Sequence, residues 1–468
     1  MLSLYNTASR SVEPIEPLVP GKIGMYCCGP TVYQRAHIGN LRAYVFEDVL
    51  RRTLESIEGM QVRHVMNITD VGHLVGDEDE GEDKMEKSSR ETGKNAWEIA
   101  KEFEALFFQD IQRLNIESPT SAPRATDHIA EQIELIKTLE EKGFTYQISD
   151  GLYFDTSKLP SYGKLSRQIL QEKQEGARVQ INKEKRNPSD FALWKFSHPT
   201  DLPTYRLTDS FKRQMEWPSP WGIGFPGWHV ECSAMSRKEL GQPFDIHCGG
   251  IDHIPVHHEN EIAQSEAAYG VPFVKYWMHV EFLMVEGQKM SKSLNNTFTL
   301  DDLTAAGIDP RALRLFFLGA SYHSKQNFTW EAIKGVQIAF AKLERAVRSW
   351  KEPENGLSAY EERFRSAMEN DLNTPEALAV MWEMIDSDHD TASKSASFAF
   401  MDKMLGLGLS DLIGKTVLIP VEIKRLADER WSARTSGDWT KSDALRDELA
   451  KQGWNVNDGK GGYTLEKV

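Results

Sequence analysis

KIGMYCCGPTVYQRAHIGNLRAYVFEDVLRRTLESIEGMQVRHVMNITD, residues 22 to 70, is the stretch that decides the architecture. KIGMYCC is a short apolar run stopped by Gly29-Pro30. HIGNLRAYVFEDVLRRTLESI puts Leu41, Val45, Val49, Leu50 and Leu54 on one side of a helix, and VRHVMNITD is a second strand. Strand, helix and strand in that order make a βαβ unit, the seed of a parallel nucleotide-binding sheet. His37-Ile38-Gly39-Asn40 stands just before the helix, where unpaired N–H groups and the helix dipole suit a polyphosphate; a capped helix with a surface histidine has the same spelling. Cys27 and Cys28 are strand neighbours that point to opposite faces, so both cannot reach one metal without a distorted backbone.

Composition sets outer bounds. A chain of 468 residues is too long for one core and predicts roughly three domains. Hydrophobic content of 40% and charged content of 27% are those of a globular protein. No apolar run is long enough to span a membrane, and the N-terminus lacks the pattern of a secretory signal. Four cysteines are too few for a disulfide scaffold and point to the cytoplasm. A net charge of −15, from 70 acids against 55 bases, excludes general coating of nucleic acid but permits a locally basic groove.

Outward from the opening unit, residues 121 to 215 form a mixed stretch rich in Lys, Gln and Pro, read as an insertion into the sheet domain. Helix, strand, glycine turn and helix resume in WHVECSAMSRKELGQPFDIHCGGIDHIPVHHENEIAQSEAAYG, residues 228 to 270, and complete the sheet. Beyond about 330 the pattern turns helical. Val336, Phe340, Leu343, Val347 and Trp350 recur at helical spacing, and NDLNTPEALAVMWEMI starts a helix with Asn373 or Thr374 as cap and Pro375 in the first turn. The Gly-rich DGKGGYTL, residues 458 to 465, closes a small module from about 421 with a β-turn. The acidic GDEDEGEDK at 76 to 84 fails the calcium-loop pattern and reads as a solvated loop.

Two further constellations carry chemistry. Lys289-Met290-Ser291-Lys292-Ser293 sets two ammonium groups and two hydroxyls on a loop that can close over a transferring phosphate. Either His257 or His258 shares a helix face with Glu261, and Cys232 and the 27–28 pair supply thiolates from elsewhere, a borderline donor set suited to Zn²⁺. The plainer alternative makes Cys232 and Cys248 small buried residues and the His-Glu pair a surface ion pair.

The chain resembles class I aminoacyl-tRNA synthetases, and within them the cysteinyl-tRNA synthetase family. CGPTVYQRAHIGN is similar to that family's HIGH signature, KMSKS is intact, and KRNPSDFALWK, WPSPWGIGFPGWHVECSAMS, FDIHCGGIDHIPVHHENEIAQS and NDLNTPEALA all read as family text across essentially the whole chain. The resemblance implies a Rossmann-type α/β catalytic domain at 1–122 and 216–274, interrupted by a connective domain at 123–215. A stem-contact region with the KMSKS loop follows at 275–333, an α-helical anticodon-binding bundle at 334–415 and a small mixed module at 416–468.

It further implies one Zn²⁺ per chain held by Cys28, Cys232, His257 and Glu261, which leaves Cys27 as a small core residue. ATP phosphates would meet His37 and Asn40, the latter standing where the signature has its second histidine. Gly249, Gly250 and Asp252 would approach the adenosine, Lys289 and Lys292 the departing pyrophosphate, and Gly29, Thr69, Trp228 and His247 the amino acid. The NITD strand is not followed by the Asp-Asp-Lys segment common in the family, so no role transfers to that loop.

The implied reaction joins L-cysteine to tRNA(Cys) through cysteinyl-adenylate, with Mg²⁺ accompanying ATP, in a cytoplasmic monomer. Cysteine and serine differ by one side-chain atom, which shape alone discriminates only about 10- to 200-fold, whereas zinc prefers sulfur. A rival of the same architecture would pass activated cysteine to an amino sugar; the C-terminal bundle and module favour tRNA. A non-catalytic RNA-binding relative would not need both lysines and four potential ligands.

Overall fold

The computed structural model describes residues 1–72, 84–167, 182–197, 213–291, 294, 296–415, 419–459 and 461–467. The opening stretch forms strand β1 (Lys22–Cys27), helix α1 (Ile38–Ser56) and strand β2 (Gln61–Met66). β1 and β2 are parallel, with Lys22 opposite Gln61 and Cys27 opposite Met66. The five apolar residues expected on one side of α1 are all buried. At about 1.5–3 kcal/mol for each large apolar side chain, their burial holds this helix on the sheet.

The sheet is completed by chain far from its start. Helix α2 (Trp228–Leu240) leads into strand β3 (Phe244–Gly250), and helix α3 (Glu259–Tyr269) into strand β4 (Val274–Val280). β3 lies parallel to β1, with His247 opposite Tyr26 and Cys248 opposite Cys27, and the strand order is β4-β3-β1-β2. From β1 the chain crosses to β2 on one side, while β3 lies on the other. The crevice beyond the ends of β1 and β3 is therefore a topological switch point, where open α/β sheets bind ligands.

Ile23, Met25 and Cys27 point into the core that includes α1, whereas Tyr26 and Cys28 point into a second core with Cys232 and Ile262. This alternation is the strand period.

The insertion is a five-stranded antiparallel sheet ordered Thr145–Ile148, Gly151–Phe154, Phe191–Phe196, Gly222–Pro226, Trp217–Ser219. Its strands run past the expected end at 215, because Trp194 pairs with Pro226 and Phe196 with Gly224. Leu193 and Trp194 bury against Val230 and Ala234 of α2 and Ala263 and Ala267 of α3, so the insertion braces the helices that carry the site.

Leu283–Val285 and Gln288–Lys289 form a hairpin through Glu286 and Gly287, both at positive φ, the geometry of a type I′ turn. Helices Trp330–Ser349, Ser358–Glu369, Thr374–Asp386 and Thr391–Leu405 follow, and Asn373 caps the third of these by accepting from Glu376 N. Helices Val421–Thr435 and Trp439–Lys451 and the hairpin Trp454–Gly459/Gly462–Lys467 share a small core around Ile423, Leu449 and Trp454. Residues 76–83 of the acidic stretch lie outside the described residues, and Lys84 opens a helix to Thr92.

Candidate active site

The segment after β1 is clamped to β3 and to the segment after β2. Cys28 N donates to Cys248 O (3.1 Å), Gly29 N to Asn67 Oδ1 (2.9 Å), and Val32 N to Thr69 O (3.1 Å). Gly29 is required by this approach, since a Cβ there would lie 1.7 Å from Asn67 O. The clamp directs Cys28 away from α1 and toward α2 and α3.

α2 opens with Trp228 and carries Cys232 one turn later, on the same face. Before α3 the chain makes a π-helical turn over Ile254–His258, which sets His257 one turn before Glu261. Cys28, Cys232, His257 and Glu261 are all buried and bring one donor atom each within 4.8 Å of one another. Glu261 Oε1 lies 2.9 Å from His257 Nε2, yet has no hydrogen-bond partner among the described residues. Two thiols, an imidazole and a carboxylate that converge in one buried spot form a donor set suited to one ion, so the residues present fit a zinc.

A second set overlaps the first: Cys28 and Glu261 also lie with His247 and His258. His258 Nε2 is 3.2 Å from Cys28 Sγ and 3.9 Å from Glu261 Oε1. The two sets differ in access. Cys28, Cys232 and His257 line an open cleft of about 390 Å³, and neither His247 nor His258 does.

Electrostatics couples the cluster. Burial raises Glu261, but His247 and His257 outweigh it and hold the carboxyl down at about 2. Burial opposes charge on His257, and Glu261 and Cys232 override it and push the imidazole up to about 10. The Cys28 S–H donates to Cys232 and draws that thiol down to about 7, while burial pushes Cys28 up.

The cleft gathers most of the other residues singled out from the sequence. Its walls include Gly29, His37, Asn40, Thr69, Trp228, Gly249, Gly250, Asp252 and Lys289. Gly249 fits because a Cβ there would come within 2.7 Å of the His253 and His258 rings. His37 caps α1, its Nδ1 accepting from Asn40 N and its own N–H donating to Asn40 Oδ1. Lys289 is exposed, with Nζ 4.8 Å from the Phe282 ring centre, and Asn296 steadies the loop by accepting from Ser291 N. Lys292 lies outside the described residues.

His247 is the exception. Rather than facing the cleft it is fully buried, its Nε2 3.0 Å from Glu261 Oε2 and its ring stacked on Trp277. Sequence reasoning also missed a buried chain behind the ligands: His258 Nδ1 meets His279 Nε2 at 2.7 Å, and His279 Nδ1 meets Thr7 Oγ1 at 2.8 Å. The alternation of Trp277 and His279 along VKYWMHV was the available signal, because period two puts both on the face toward His247 and His258.

Comparison with known proteins agrees with this architecture. Residues 14–338 match the family model described as tRNA synthetases class I (C) catalytic domain, and residues 363–406 match the DALR domain. A solved methionyl-tRNA synthetase of Mycobacterium tuberculosis bound by methionyl-adenylate shares the fold at a TM-score of 0.54 and 16% identity, over 83% of this chain and 90% of that one. The fold is that of a class I tRNA synthetase.

The chain is 50% identical over 465 residues to cysteine–tRNA ligase 1 of Burkholderia lata, covering 99% of this chain and 96% of that one. It is 41% identical to the cysteine–tRNA ligase of Thermus thermophilus over the whole of both chains. This protein belongs to the cysteine–tRNA ligase family. Among the described residues no helix is long and apolar enough to cross a membrane.

Proposed function

We propose that the chain ligates L-cysteine to tRNA(Cys) in two steps, with ATP as the activating substrate. The observation that carries this reading is its similarity, at 50% and 42% identity over the full length, to proteins named cysteine–tRNA ligase, which includes the helical segment beyond the catalytic domain. An amino-sugar ligase would not need a tRNA-reading bundle, and the full-length relatives disfavour it.

In the first step a carboxylate oxygen of cysteine attacks the α-phosphorus of ATP and pyrophosphate leaves. In the second, a terminal ribose hydroxyl of the tRNA takes the acyl group and AMP departs. The protein's part is positioning and charge stabilisation. His37 Nδ1 accepts a backbone N–H, which puts the ring proton on Nε2 as a donor for phosphate oxygens. Asn40 and the first turn of α1 add amide donors, Lys289 and Lys292 follow the departing pyrophosphate with Mg²⁺, and Gly249, Gly250 and Asp252 receive the nucleoside.

Cys28, Cys232, His257 and Glu261 would hold zinc, which when bound supplies soft Lewis acidity that a thiol satisfies and a hydroxyl does not. Three of these side chains line the cleft, which supports this set over its neighbour. Trp228 and Thr69 shape the amino-acid pocket beside Gly29. His247 orients Glu261 from behind and is assigned a positioning role. The helical bundle and the end module contact the anticodon arm. Four free, buried cysteines fit a reducing cytoplasm, and the chain acts as a monomer.

The deciding experiment offers a tRNA(Cys) transcript and an amino-sugar acceptor side by side with labelled cysteine and ATP. Charging of the RNA alone is expected, and preferential transfer to the sugar would refute the reading. ATP–pyrophosphate exchange should follow cysteine and not serine.

A further inference from the structure

Cys27 faces away from the cleft, but it does not face an apolar layer alone. Its thiol, the Glu47 carboxylate of α1 and the His64 ring of β2 bring one donor atom each within 4.8 Å of one another, the same spread as in the cleft set. All three side chains are buried. The placement follows from strand register: Met25 lies opposite His64 and Cys27 opposite Met66, so these four share the sheet face that α1 covers.

Apolar side chains, among them Met25, Val45, Val49 and Met66, fill most of the rest of that layer, with the Tyr44 phenol near Glu47. Neither ring nitrogen of His64 has a hydrogen-bond partner among the described residues, and the buried Glu47 carboxyl is met only by the Cys27 thiol. Buried polar atoms are otherwise almost always paired, and an unpaired imidazole beside a buried carboxyl and thiol calls for a further partner.

We propose that Cys27, Glu47 and His64 bind a second divalent cation of the borderline class that zinc represents, between the sheet and α1. Thiolate, carboxylate and neutral imidazole carry two negative charges together, so a dication leaves the site neutral, as an apolar interior requires. The mixture of sulfur, nitrogen and oxygen donors selects Zn²⁺ over magnesium or calcium. Donors around a tetrahedral zinc sit roughly 3.3–3.8 Å apart, so the trio closes on an ion with shifts of about 1 Å. Cys248 is opposite Cys27 in register and hydrogen-bonds its thiol, which puts a second sulfur beside the trio.

None of the three lines the cleft. The site is structural: it ties β1, α1 and β2, the unit that aims Cys28 and His37.

The test is metal analysis of the full-length chain, purified without chelator. About two equivalents of zinc are expected in the wild type. About one is expected in the Cys28→Ser/Cys232→Ser variant, and about one in Cys27→Val and in Glu47→Gln. Cobalt replacement gives a second readout: a thiolate-to-cobalt absorption band should persist in Cys28→Ser/Cys232→Ser, even if the Cys27 variant fails to fold.

A Cys28→Ser/Cys232→Ser protein with no metal and no such band overturns the proposal, as does a folded Glu47→Gln protein that keeps the wild-type count. A bridging water or a protonated Glu47 would give those results. A wild-type count of one that survives Cys28→Ser/Cys232→Ser would instead refute the cleft zinc and sustain this site.

Discussion

His37 and Asn40 cap each other across the first turn of α1, each backbone N–H donating to the other side chain at 3.2 Å. The residue standing where the signature has a second histidine therefore secures the helix end as well as facing the cleft. Two substitutions separate these roles. Asn40→Ala removes the acceptor and should cost about 0.5–2 kcal/mol of stability, together with weaker ATP binding. Asn40→Asp keeps the acceptor and sets a negative charge beside the phosphates. It should hold the urea midpoint near that of the wild type while raising the KM for ATP roughly tenfold, for an interaction of about 1.4 kcal/mol. Equal KM values for Asn40→Asp and the wild type would remove Asn40 from phosphate contact.

His247 meets the proposed ligand set through Glu261, its Nε2 3.0 Å from Glu261 Oε2. His247→Phe preserves a ring against Trp277 and deletes the hydrogen bond. Loss of such an outer partner lowers metal affinity by about 10- to 100-fold. Competition with a chelator should show that loss, and the KM for cysteine should rise while the KM for ATP stays put. A direct cysteine contact would instead leave metal affinity unchanged.

These two residues also mark what the sequence could and could not say. His37 and Asn40 were legible because helix start signals are local, and the buried face of α1 because helical periodicity is local. The pairing of β1 with β3 was legible only as a fold-level expectation, since nothing near Cys27 specifies that Cys248 lies opposite. Strand alternation says that Cys27 and Cys28 diverge, but which one meets the cleft depends on which face α2 and α3 cover. His247 was expected in the pocket, and only tertiary packing sets Glu261 in front of it. The insertion's last strands were obscured by the prolines and glycines of WPSPWGIGFPG, which resemble a linker until Trp194 and Phe196 pair with them.

Asp70 gives a pH signature. It is buried, accepts from Thr126 N (3.0 Å) and Thr126 Oγ1 (2.6 Å), and is pushed up to about 6 chiefly by burial. An unfolded aspartate titrates near about 3.9. Between those values the folded chain holds a proton that the unfolded chain releases, so stability contributed by this group is full below about pH 4 and is lost as pH rises through about 6. The shift corresponds to about 2–3 kcal/mol at most. Urea midpoints of the wild type minus those of Asp70→Asn, taken from pH 4 to 7, should fall across that window. A flat difference would mean that Asp70 titrates normally.

Arg314 is fully buried in helix Pro310–Leu318 and joins three parts of the molecule. Its Nη2 donates to Asp48 Oδ2 of α1 (2.5 Å), Nε to Leu405 O of the helical bundle (2.7 Å), and Nη1 to Leu114 O (3.2 Å). Burial works against both charges of the pair, and Arg52 shares Asp48 at 2.7 Å, which helps to hold that carboxyl below its usual range. Removing one partner of a buried pair strands the other, so Arg314→Met should destabilise by about 3–5 kcal/mol. Asp48→Asn in the same background should add less than it costs alone, because its partner is already gone. A double-mutant cycle read by urea denaturation measures that coupling. Strict additivity would show that the guanidinium is held by the carbonyls of Leu405 and Leu114, and that Asp48 is held by Arg52 and the Glu117 N–H without it.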